Sequence, residues 1–126
     1  MPGNVLIDPH EGRVTGIIDW ELAAICDLPA IDTTMFLLAM YSQLERRELG
    51  HLVAEATGGN ASGLLPGAVA DAARGLNESP DPRLLILLCW LRHVASALTK
   101  TDRYARHPVW KRYNLYQVLD AMARDD

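Results

Sequence analysis

With 126 residues, 49% of them hydrophobic and 22% charged, the chain has enough apolar material for one cored domain and too little length for a two-lobed enzyme. The balance is globular, not disordered. A net charge of −4 argues against nucleic acid as the main partner, and the longest apolar run, Leu84 to Leu91, is far short of a membrane span, which needs roughly 18 residues.

In chain order, Val5-Leu6-Ile7 and Val14-Thr15-Gly16-Ile17-Ile18 are β-prone runs on either side of Asp8-Pro9-His10-Glu11-Gly12-Arg13, a stretch of turn formers. A β-hairpin is the natural reading. A turn centred between His10 and Glu11 pairs Asn4 with Ile17 and brings Asp19 to the same face of the open end. A slip of one residue would turn one of the two away.

The remainder reads as helical. Asp32 caps a helix carrying Met35, Phe36, Leu37 and Leu38, and Glu45-Arg46-Arg47-Glu48 either continues it or starts another. Leu49, Leu52, Val53 and Ala56 recur at helical spacing before Gly58-Gly59. Between Asn60 and Pro82 the glycines and prolines leave room for a short helix around Ala68 to Arg74. Pro82 opens the strongest helix, with Leu84, Leu87, Leu88, Leu91, Ala95 and Leu98 as one apolar stripe. A last helix starts near Pro108 and runs through Leu115, Val118, Leu119 and Met122. The fold class is therefore α+β and predominantly α-helical, an N-terminal hairpin followed by a helical lobe.

Charge is uneven along the chain. Residues 1–60 hold three Lys/Arg against nine Asp/Glu, whereas Arg92 to Arg112 carries six cations against Asp102. That segment is either a patch for phosphate or another anion, or a solvated surface. Cys26 and Cys89 lie far apart and match no ligand pattern, so a reducing, cytoplasmic setting is the simplest expectation. No two histidines have helical ligand spacing, which speaks against zinc. Thr33, Thr34 and Ser96 have no neighbouring base. Trp90, Trp110, Tyr113 and Tyr116 either line a cleft or pack in the core.

An Asn amide oxygen and an Asp carboxylate suit magnesium, a hard cation that takes oxygen ligands and completes its shell with nucleotide phosphates and water. On chemistry alone Asn4 and Asp19 are equally a turn residue and a helix cap. The segment Met1-Pro2-Gly3-Asn4-Val5-Leu6, however, resembles the second half of the H-G-D-x-x-P-x-N-x-L loop of the aminoglycoside phosphotransferase family, a kinase-like group. Ile17-Ile18-Asp19-Trp20-Glu21 is similar to its I-I-D-W-E, and Asp27-Leu28-Pro29-Ala30-Ile31-Asp32 resembles its G-D-P-x-x-D, with Cys26 and Asp27 where a Gly is usual.

The resemblance implies the carboxy-terminal lobe of an ATP-dependent small-molecule phosphotransferase. Asn4 and Asp19 would be magnesium ligands and Asp32 a support of the catalytic loop, with ATP or GTP as donor. The acceptor would be a hydroxyl of a sugar, aminoglycoside or amino alcohol. Such loops place the base Asp about five residues before the Asn; counting back from Asn4 passes Met1, so no residue here takes that role. The expected organisation is a single partial domain, 1–126, with a metal-site hairpin over 1–21 and a helical lobe over 32–126. Without the base and the nucleotide lobe the chain is not expected to catalyse alone. The alternatives are a non-catalytic remnant or helical module that binds a missing amino-terminal lobe or a second copy, and an unrelated helical regulator.

Overall fold

The computed structural model describes residues 5–18, 29–58, 63–76 and 80–124. Two strands, β1 (Val5–Ile7) and β2 (Val14–Ile17), form an antiparallel hairpin. The turn is built by Asp8, whose Oδ1 accepts from the amides of His10 (2.8 Å) and Glu11 (3.1 Å), while its carbonyl accepts from Gly12 N–H at 2.9 Å. Gly12 sits at φ 64°, a left-handed conformation that carries no steric penalty without a Cβ.

The register departs from expectation by one residue at the open end. Ile7 pairs with Val14, as a turn centred between His10 and Glu11 requires, but Leu6 pairs with Gly16 and Val5, not Asn4, pairs with Ile17. Thr15 is the extra residue of a bulge, and its hydroxyl donates to the Leu6 carbonyl at 3.3 Å.

The helical lobe comprises α1 (Pro29–Glu45), α2 (Leu49–Thr57), α3 (Leu64–Gly75), α4 (Pro82–Lys100), α5 (Asp102–Arg106), α6 (Pro108–Lys111), a π-helical turn (Arg112–Tyr116) and α7 (Gln117–Met122). Asp32 lies inside the first turn of α1, where its charge suits the helix dipole, and does not cap it. Residues 46–48 connect α1 to α2, with Arg46 at φ 53° and Arg47 N–H closing onto the Ser42 carbonyl (3.1 Å). Helix α3 is longer than the expected Ala68 to Arg74. Pro66 does not prevent this because it occupies the first turn, whose amides have no intrahelical partner.

Helix α4 is the hub and packs on α1, α2 and α3. Asp81 caps it, accepting from Arg83 N–H at 2.9 Å with Pro82 at the first position. Its buried face is Leu85, Ile86, Cys89, Trp90, Val94 and Ala97. The expected stripe is only partly inward: Leu87 and Leu98 touch the core, but Leu84, Leu88 and Leu91 are 53%, 39% and 56% exposed. Facing them in the core are Ala30 and Leu38 of α1, Val53 and Ala56 of α2, Val69 and Ala73 of α3, and Val118 of α7.

The C-terminal run is fixed by a polar junction. Trp90 Nε1 donates to the Asn114 carbonyl (2.7 Å) in the π turn, and the buried Asn114 side chain accepts from Gly50 N–H (3.2 Å) and donates to Glu48 Oε2 (3.0 Å). Asn114 thus satisfies a free amide at the start of α2 from a distant part of the chain. The approach demands glycine: a Cβ on Gly50 would stand 2.6 Å from Asn114 Cα.

Candidate functional site

Of the residues singled out for the metal and its supporting loop, Asp32 is the one among the described residues. Asn4, Asp19, Trp20, Glu21, Cys26 and Asp27 lie outside the described residues. What is described is the hairpin between Asn4 and Asp19: Val5 and Ile17 are paired at its open end, one residue out of the register in which those two share a face, so the observed pairing does not supply that geometric support. Asp32 is exposed on the first turn of α1. Among the described residues no group of three His, Cys, Asp or Glu side chains is placed to hold a metal. The donor chemistry of an amide oxygen with one carboxylate still fits magnesium, which needs only one or two protein ligands when phosphates and water supply the rest.

The hairpin leaves apolar surface uncovered. Leu6, Ile7, Val14, Ile17 and Ile18 are each about half exposed, and the two strands pack chiefly on one another. A two-stranded hairpin of this kind is marginal without further packing.

Elsewhere, the four aromatic residues that sequence alone leaves between cleft and core divide. Trp90 is core, and Trp110 is half-buried against Tyr104 with ring centroids 5.1 Å apart. Tyr113 and Tyr116 face outward. His93, near Trp110, titrates below its ordinary value because burial disfavours its charge, an effect that the Glu48 carboxylate opposes. Arg47 is held in its charged form by a hydrogen bond to Glu55 (2.8 Å) and by Glu45 (3.1 Å). The cysteine that is described, Cys89, is buried, and its Sγ donates to the Ile31 carbonyl at 3.3 Å. No helix among the described residues is long and apolar enough to cross a membrane.

A small hairpin leading into a largely helical lobe is the α+β architecture of a kinase-like carboxy-terminal lobe. The family model of phosphotransferase enzymes matches residues 1–65, just over half of the chain, and spans the hairpin, α1 and α2. The chain belongs to the phosphotransferase enzyme family. No curated protein and no solved structure matches it.

Proposed function

We propose that this chain supplies the metal-holding segments and helical lobe of an ATP-dependent phosphotransferase acting on a small hydroxyl-bearing molecule such as a sugar, aminoglycoside or amino alcohol. The observation that supports the reading is the family match over residues 1–65, which takes in the hairpin and, next to it in sequence, the motif segments of Asn4 and Asp19. Asn4 and Asp19 would hold Mg2+, and Asp32 would support the loop that contains Asn4. The ion, when bound with ATP or GTP, offsets charge on the β- and γ-phosphates. The chain's own residues bind and orient it, and none is assigned the proton-accepting role. A reducing, cytoplasmic setting accords with two cysteines that match no ligand pattern in the sequence.

The exposed apolar strands favour a second reading, a lobe whose hairpin is covered by another polypeptide surface and which does not itself engage metal. Paramagnetic Mn2+ in place of Mg2+ separates the two. In the presence of ATP it should broaden backbone amide resonances of Val5 to Ile7 and Val14 to Ile18, and Asp19→Asn should abolish the effect. Broadening elsewhere, or none, would favour the second reading.

A further inference from the structure

A groove of about 570 Å3 runs between α2 and the C-terminal helical run, and no residue of the hairpin or of α1 lines it. Its chemistry is mixed in a particular way. Tyr113 and Tyr116 offer aromatic faces that are 37% and 49% exposed, and Glu55, Gln117 and Asp120 add carboxylate and amide groups. Arg112 and Arg124 also line it and form no ion pair among the described residues, unlike Arg47, which Glu45 and Glu55 neutralise. At about 1.5 Å per residue the backbone positions of these two arginines lie roughly 18 Å apart along the run, and Arg112 is the one next to Tyr113 in the π turn.

Two further observations single out this face. The π turn that presents Arg112, Tyr113 and Tyr116 is an irregularity of the kind that recurs at functional sites. His51, stacked on Tyr113 with centroids 5.2 Å apart, lines the same groove and keeps its Nδ1 buried with no hydrogen-bond partner among the described residues. Buried polar atoms are nearly always paired, so the polar set of this wall is incomplete by itself.

We propose that the groove binds an anionic sugar. The apolar faces of a pyranose ring stack on Tyr113 and Tyr116, its hydroxyls are hydrogen-bonded by Gln117, Asp120 and Glu55, and its phosphate or carboxylate is held by the guanidinium fork of Arg112. Guanidinium geometry matches either anion in bidentate fashion, whereas flanking carboxylates disfavour a ligand that is anionic throughout. This site requires neither metal nor nucleotide, so its test stands apart from that of the hairpin.

The test is an NMR titration of the full, 15N-labelled chain with glucose 6-phosphate, glucuronate, glucose and inorganic phosphate in turn. Saturable shifts are expected at Arg112, Tyr113, Tyr116 and Gln117 for the first two ligands, with affinity at least about ten-fold weaker for glucose and for phosphate alone. Arg112→Gln and Tyr116→Ala should each weaken glucose 6-phosphate binding about ten-fold or more, while Arg103→Ala, on exposed α5, leaves it unchanged. The spectra themselves report that each variant is folded. Absent or scattered shifts, unchanged binding by both groove variants, or phosphate binding as tightly as the sugar phosphate would overturn the proposal.

Discussion

Gly50 and Asn114 show how a single residue type fixes the assembly of the helical lobe. The amide of Gly50 belongs to the first turn of α2, where no intrahelical acceptor exists, and Asn114 supplies one from 64 residues away. The two backbones approach until there is no room for a Cβ. Gly50→Ala should therefore cost at least about 2–3 kcal/mol, the upper range for overpacking, although alanine is the better helix former. The shift of the urea midpoint measures it; a neutral or stabilising result would mean that α2 and the π turn are not so closely packed. Nothing local in Leu49-Gly50-His51 announces this contact, since the residue that requires the glycine lies in a distant helix.

His93 gives the chain a pH dependence of known sign. Burial holds its folded-state value below the ordinary 6.5, which the unfolded chain retains. Between those two values the unfolded state binds more protons, so this contribution to stability is complete above about pH 6.5 and is lost as pH falls below it. Urea midpoints at pH 7.0 and 5.5 should differ more for the wild-type chain than for His93→Gln. Equal differences in the two proteins would show that the imidazole is not desolvated.

At the scale of elements, the hairpin was legible and its register was not. Asp8 and Gly12 are the residues that such a turn requires, whereas the Thr15 bulge follows from pairing that no propensity encodes. Helix α4 teaches the same lesson about rotation. Residues 84–91 are apolar on nearly every side, so periodicity admits two inward faces, and packing on α1 to α3 with the Trp90 bond to Asn114 selects one. Leu85→Ala should then cost about 2–4 kcal/mol and Leu84→Ala less than about 1 kcal/mol. Comparable losses in thermal or urea unfolding would restore the stripe read from sequence. Helix α5 was not anticipated at all, because its five exposed residues carry no apolar period.

For the whole molecule, the division of information is between motif and surface. Residues 1–65 carry the family pattern, and the proposal of Asn4 and Asp19 as metal ligands with Asp32 in support rests on the motif resemblance within that stretch. The groove beyond α2 was not legible, because Tyr113 and Tyr116 follow Trp110 in a run whose aromatic spacing reads equally as core. Its character rests on which side chains the π turn directs outward. The apolar hairpin and the exposed side of α4 are further surfaces that the fold leaves uncovered. They set the context for the central proposal, that Asn4 and Asp19 hold a cation in this lobe.

Mn2+-induced broadening of backbone amides in the presence of ATP tests that claim most directly. The account predicts broadening confined to residues flanking the paired end, Val5 to Ile7 and Val14 to Ile18, and its disappearance in Asp19→Asn. Broadening that spares the hairpin, or that persists undiminished in the variant, would contradict it.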